Sequence, residues 1–126
     1  MRILVVDDNT EITNMLSFYL EGQDNVECTV VNDGREALDS IITDNFDVVL
    51  LDLAMPEFSG MDVINSLKKE NLIEKNNIVI LTASALDEQE IQNLLSEGIK
   101  SVLKKPISVE ELTNTIMQMQ GLPDEP

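Results

Sequence analysis

Three stretches of this chain, Ile3–Val6, Val48–Leu51 and Ile78–Leu81, are unbroken runs of Val, Ile and Leu. Runs that short and that uniformly apolar fit strands covered on both faces: a half-exposed strand alternates, and a buried helix needs a longer stretch. Two further segments, Val26–Val31 and Ser101–Leu103, complete a set of five. Between them apolar residues recur at helical spacing: Ile12, Met15, Leu16 and Tyr19; Leu38, Ile41 and Ile42; Met61, Ile64 and Leu67 within Gly60–Lys69; Ile91, Leu94 and Leu95; Val109, Leu112, Ile116 and Met119. Asp33-x-x-Glu36, Asp87-x-x-Glu90 and Ser108-x-x-Glu111 read as capping boxes, and Gly22 and Gly98 as helix stops. The alternation is (βα)5, an α/β fold of parallel strands joined by right-handed crossovers, with helices on both faces of one sheet.

A chain of 126 residues fits one domain. It is expected over 1–120, with 121–126 as a short tail or the stub of a linker. Twenty-four Asp and Glu stand against eight Lys and Arg, and with no His the net charge is −16. A surface that acidic repels phosphodiester backbones and anionic lipid, so neither nucleic acid nor membrane is expected as a direct partner. The lack of His excludes His-based triads and His-ligated metals. One cysteine, Cys28, precludes an internal disulfide and reads as a small core residue. No apolar run approaches membrane-spanning length, and the N-terminus turns acidic at Asp7, too soon for a signal peptide. A cytoplasmic location is expected.

In an open α/β sheet, ligands bind beyond the carboxyl ends of the strands, where strand order reverses. The residues at those ends are therefore the ones to read. Asp7 and Asp8 follow the first strand, Asp52 ends the third, Thr82 ends the fourth, and Lys104-Lys105-Pro106 ends the fifth. Taken singly, Asp8 reads as a helix cap, Asp7 as a loop acid, Thr82 as a strand-end hydroxyl and Lys105 as a solvated lysine. Asp52 resists such a reading, because a carboxylate at the end of a buried apolar strand is costly unless paired. Together they place three carboxylates, a hydroxyl and an ammonium at one edge. Three carboxylates share a pocket at neutral pH only with a cation or a proton among them, and an all-oxygen set retaining water suits Mg²⁺, with Mn²⁺ as the substitute.

With those residues in place, residues 2–119 closely resemble the receiver domain of two-component response regulators. The motifs are Leu4-Val5-Val6-Asp7-Asp8-Asn9, Asp52-x-x-Met55-Pro56 with Gly60 following, Leu81-Thr82-Ala83, and Lys105-Pro106. Within that family the chain is similar to stand-alone receivers of the chemotaxis-regulator type. The resemblance implies a flavodoxin-like three-layer sandwich with strand order 2-1-3-4-5. It implies Asp52 as phosphoacceptor, Asp8 as a direct Mg²⁺ ligand, Asp7 as an acid holding the metal through water, and the backbone carbonyl of Ala54 as the remaining protein ligand. Thr82 matches the switch hydroxyl and Lys105, rather than Lys104, the family's lysine; the bond before Pro106 is often cis in the family, and Gly60 and Pro106 serve the structure. The implied partners are a sensor histidine kinase or phosphotransfer protein, and an output protein contacting the Asp87–Glu97 helix, the fifth strand and the helix from Ser108. The domain would catalyse its own phosphorylation and dephosphorylation and turn over no metabolite.

Two departures bear on output. Three residues before Lys105 the family usually carries Tyr or Phe, and here stands Val102, which leaves the switch to act through backbone movement of the Thr82–Asp87 loop. The positions two beyond Asp52 and Thr82, which tune dephosphorylation in the family, are Ala54 and Ser84. Met55 and Met61 are read as gap-fillers near the site. A haloacid-dehalogenase-type phosphatase is the rival from the enzyme class; it wants a second Asp two residues after its nucleophile, where this chain has Ala54. A flavodoxin-like flavin carrier wants a phosphate-cradling loop after the first strand, where Asp7-Asp8-Asn9 would repel one.

Overall fold

The computed structural model describes residues 1–83 and 85–121; Ser84 and all of the expected tail except Gly121 lie outside the described residues. Five parallel strands form one sheet: β1 (Arg2–Val6), β2 (Glu27–Val31), β3 (Val48–Asp52), β4 (Ile78–Thr82) and β5 (Ser101–Lys104), in the order β2-β1-β3-β4-β5. The three unbroken apolar runs are the three inner strands, where every residue from Ile3 to Val6, Val48 to Asp52 and Ile78 to Thr82 is buried. The two outer strands are those with mixed composition: β2 alternates in exposure along its length, and β5 is only partly covered. Strand order reverses between β1 and β3, which opens a crevice at their carboxyl ends.

Helices α1 (Thr10–Glu21) and α5 (Val109–Gly121) cover the face that presents Ile3, Val5, Leu50 and Leu81. Helices α2 (Gly34–Thr43), α3 (Gly60–Lys69) and α4 (Glu88–Ser96) cover the face of Leu4, Val6, Leu51 and Ile80. Each helix buries a narrower stripe than its apolar spacing suggests. Leu16 and Leu20 with Thr13 anchor α1, Ala37 and Ile41 anchor α2, Val63, Ile64 and Leu67 anchor α3, Leu94 anchors α4, and Leu112 and Ile116 anchor α5. Met15, Ile42, Met61, Leu95 and Val109, expected on the core stripes, stand exposed instead. A helix lying on a sheet touches it along one line, so a residue 100° off that line faces water even when apolar. Met61 therefore fills no gap beside the site, whereas Met55 is buried.

The helix starts follow the sequence signals, with two differences. Asp33 caps α2 by accepting from the Glu36 amide, Asp87 and Glu90 form a reciprocal capping box, and Ser108 accepts from Glu111. The cap of α1 is Asn9 rather than Asp8: its side-chain oxygen accepts from the amides of Glu11 and Ile12. A fourth box, Ser59 with Asp62, opens α3. Gly98 stops α4 with a φ of +109°, a conformation that favours glycine. Cys28 lies half-buried in β2, where burial pushes its thiol up. A short 3-10 turn, Glu74–Asn76, precedes β4.

Gly60 ties this scaffold to the crevice. Its amide donates to the Leu53 carbonyl at 3.0 Å, and a Cβ there would stand 2.3 Å from the Asp52 carbonyl oxygen. The first turn of α3 thus rests directly on the backbone of the last residue of β3, an approach only glycine allows. Gly60→Ala is expected to cost about 1–3 kcal/mol through overpacking. Urea unfolding tests this, and a midpoint equal to wild type would show that the contact yields freely.

Candidate functional site

Parallel register brings the strand ends level. Val6 pairs with Leu51, Asp52 with Leu81 and Thr82 with Lys104, so the residues that follow β1 and β5 flank Asp52 and Thr82 across the sheet edge. The Lys105 amide donates to the Thr82 carbonyl at 2.8 Å, which carries the ladder one residue past β5. The peptide between Lys105 and Pro106 is cis.

One carboxylate oxygen from each of Asp7, Asp8 and Asp52 lies within 4.8 Å of the other two. Asp7 and Asp52 are 1% and 3% exposed, while Asp8 is exposed. Lys105 reaches in from the other side: its Nζ stands 2.5 Å from Asp7 Oδ2 and 3.4 Å from Asp52 Oδ1. The Asn9 amide donates to Asp7 Oδ1 at 2.9 Å. Burial, and then the charge of Asp7, push the Asp52 carboxyl above its ordinary value; Lys105 and the backbone amide of Ala54 pull against them without prevailing. Burial works to lower the Lys105 ammonium, but its hydrogen bond to Asp7 and the charges of Asp52 and Asp7 outweigh burial and raise it.

A single ammonium against three carboxylates leaves the pocket short of positive charge. The donors are all oxygens, two of them fixed and buried and one facing solvent, and a hard divalent cation such as Mg²⁺ fits that set. Ala54 is exposed on the loop directly after β3. Thr82 is 1% exposed at the end of β4. Val102 pairs with Ile80 and packs, half-buried, against the core on the α2–α3–α4 side.

Two asparagines of the site region were not singled out by the sequence. Asn9 joins the Asp7 carboxylate to the start of α1. Asn32 donates from Nδ2 to the Asp7 carbonyl at 2.8 Å and to Thr13 Oγ1 at 3.1 Å. In an Asn-Asp-Gly segment an asparagine reads as a turn former, and only the spatial neighbour shows otherwise.

A parallel sheet of order 2-1-3-4-5 with a carboxylate pocket and a lysine at its carboxyl edge defines a flavodoxin-like α/β fold with an acidic crevice suited to a hard cation. Residues 3–117 match the response regulator receiver domain family, and the chain belongs to it. It is 33% identical over 126 residues to the DNA-binding response regulator MtrA of Mycobacterium leprae and to MtrA of Mycolicibacterium paratuberculosis. Those matches cover 99% of this chain and 54% of each relative, so the chain spans about half their length. Among solved structures it is similar to the receiver domain of Francisella response regulator 1452, with a TM-score of 0.82 at 30% identity over 94% of this chain and 96% of that one. It is also similar to TrrA from Thermotoga maritima in complex with Mg²⁺ and BeF, with a TM-score of 0.77 at 30% identity over 94% and 97% of the two chains. The haloacid-dehalogenase alternative finds no support in these likenesses.

The raised Asp52 carboxyl has a signed consequence for the cation-free protein. A carboxyl whose folded value exceeds its unfolded value holds its proton more tightly when folded. Its favourable contribution is present at acid pH and is lost as pH rises from the unfolded value through the folded one. In excess EDTA, Asp52→Asn is therefore expected to be more stable than wild type at neutral pH, with the gap closing as pH falls into the ordinary carboxyl range. Urea midpoints across that range check it, and a wild type more stable than the variant at neutral pH would mean that Lys105 outweighs burial and Asp7 together.

Proposed function

We propose that Asp52 is the phosphoacceptor of this receiver domain, with Asp7, Asp8, Asp52 and the Ala54 carbonyl holding Mg²⁺. The convergence of three carboxylates within 4.8 Å, two of them contacted by Lys105, is the observation that supports this most. An Asp52 oxygen forms a bond to phosphorus as the phosphorus–nitrogen bond of a phosphohistidine breaks, and the released imidazole takes its proton from solvent. No general base is needed, because the attacking oxygen is ionised. Bound Mg²⁺ supplies neutralisation of the phosphoryl oxygens. Lys105, held between Asp7 and Asp52, accompanies the incoming charge, and Thr82 donates to it.

On this reading the domain, 1–120, catalyses its own phosphorylation and dephosphorylation in the cytoplasm, with 121–126 as tail or linker. Among the described residues no helix is long and apolar enough to cross a membrane. Its donor is a histidine kinase or a phosphotransfer protein. The mycobacterial relatives are named as DNA-binding, yet a net charge of −16 argues that residues 1–126 do not themselves touch DNA. Output runs through α4, β5 and α5.

Incubation with acetyl phosphate and Mg²⁺ is expected to add one hydroxylamine-labile phosphoryl group to wild type and none to Asp52→Asn. Intact-mass measurement checks this, and a label surviving in the variant would reassign the nucleophile.

Val102 bears on how strongly phosphorylation is read out. It is β-branched, with few rotamers and little volume to move, so the response to beryllofluoride falls to the backbone after Thr82. The coupling is expected near 1 kcal/mol, the low end for linked sites. Val102→Tyr is expected to enlarge the beryllofluoride-induced amide shifts in α4 and β5. Equal responses in the two proteins would show that the small side chain limits nothing.

A further inference from the structure

We infer that Asn32, in the connection between β2 and α2, is a positioning residue for the cation-binding carboxylates Asp7 and Asp8; the inference rests on reading the carboxylate cluster as a divalent-cation site. Asn32 is half-buried, and among the described residues its hydrogen bonds reach none of the three carboxylates; it acts on the backbone beneath them. Its Nδ2 donates both hydrogens, one to the Asp7 carbonyl at 2.8 Å and one to Thr13 Oγ1 at 3.1 Å. Thr13 is buried, and its own hydrogen goes to the Thr10 carbonyl at 3.2 Å. A carbonyl only accepts and that hydroxyl is already donating, so both contacts require donated hydrogens, which the amide nitrogen of Asn32 supplies. Leu supplies no hydrogen at this position, Asp none when ionised, and Ser a single one.

The contact matters because of what it fixes. The Asp7 carbonyl lies in the same peptide plane as the Asp8 amide, so holding that oxygen sets the direction in which the chain enters Asp8. The Asp7 amide is held by the end of β2, donating to the Val31 carbonyl at 3.3 Å. The Asp7 carboxylate has its own partners in Asn9 and Lys105. Asp8 differs: it is exposed, and among the described residues no hydrogen bond or ion pair restrains its carboxylate. Its convergence with Asp7 and Asp52 therefore depends on backbone held by Asn32 on one side and by the Asn9 cap of α1 on the other. Groups that orient a ligating residue typically change metal affinity by 10–100-fold.

The test titrates Mg²⁺ into the full chain and follows the Asp8 and Asn9 amide resonances. Asn32→Leu, matched in shape and lacking both hydrogens, is expected to raise the Mg²⁺ dissociation constant about tenfold. Thr13→Val removes one of the two anchors of the amide and is expected to raise it about two- to threefold. It carries the test by itself should Asn32→Leu not fold. Asp33→Ala removes the cap of α2 one residue away and is expected to lower the unfolding midpoint while leaving Mg²⁺ affinity unchanged. Unchanged affinity in Asn32→Leu, or in Thr13→Val where the former does not fold, overturns the positioning role. So does an equal loss in Asp33→Ala, which would trace the effect to general loosening. A wild type whose Asp8 and Asn9 amides show no saturable response to Mg²⁺ overturns the cation-site reading itself.

Discussion

The arrangement at the sheet edge depends on one constraint: a carboxylate carried to the end of a strand that is buried on both faces. Every residue of β3 is buried, Asp52 included. Leaving an ionised group there without a partner costs several kcal/mol, so the surroundings must answer it. Lys105 does so from just beyond β5, but it answers Asp7 more closely than Asp52. The Asp52 carboxyl consequently stays above its ordinary value. The fold holds the pocket in an under-neutralised state because Gly60 clamps the Asp52 backbone and the β1–β3–β4 register leaves the strand ends nowhere else to go.

Much of this was legible in the chain because the inner strands are written without interruption. An inner strand of a parallel sheet has no face to give to water, so Ile3–Val6, Val48–Leu51 and Ile78–Leu81 contain no polar residue until each reaches the carboxyl edge. The break from apolar to polar then marks the ligand edge directly, and Asp7, Asp52 and Thr82 fall at or one residue beyond it. The outer strands β2 and β5 carry mixed residues, and their ends shift by one. What the spacing did not resolve was which apolar residue of each helix meets the sheet. Met15 and Ile42 satisfy helical periodicity as well as Leu16 and Ile41 do, and only the tilt of the packed helix separates them.

The positioning contacts were illegible for a different reason. Asn9, Asn32 and Ser59 act through backbone groups, and a backbone group has no signature in sequence. Asn32 lies 25 residues from Asp7 along the chain, and the two become neighbours only because β1 and β2 pair in register, Val6 beside Val31. The Ser59–Asp62 box is faint in the chain because the Ser-Gly-Met-Asp run lacks the Glu that usually signals it.

The distribution of charge adds a further condition on the chemistry. Between residues 3 and 67 there are fourteen acids and one base, Arg35, whereas between 68 and 105 there are six of each. Arg35 stacks elsewhere, its guanidinium 4.5 Å from the centre of the Phe58 ring. The part of the chain that supplies all three carboxylates therefore supplies no cation to them, and Lys105 must come from the balanced part by way of β5. A field of that sign concentrates divalent cations at the crevice and opposes an anionic phosphodonor. On the reading of Asp52 as phosphoacceptor, the donor meets a favourable potential only once Lys105 and a bound cation have reversed the local sign. Added salt screens both the attraction and the repulsion, within a Debye length of about 10 Å at 0.1 M. On the same reading, the net acidity works with the carboxylate cluster: it favours entry of a cation before the phosphoryl group arrives.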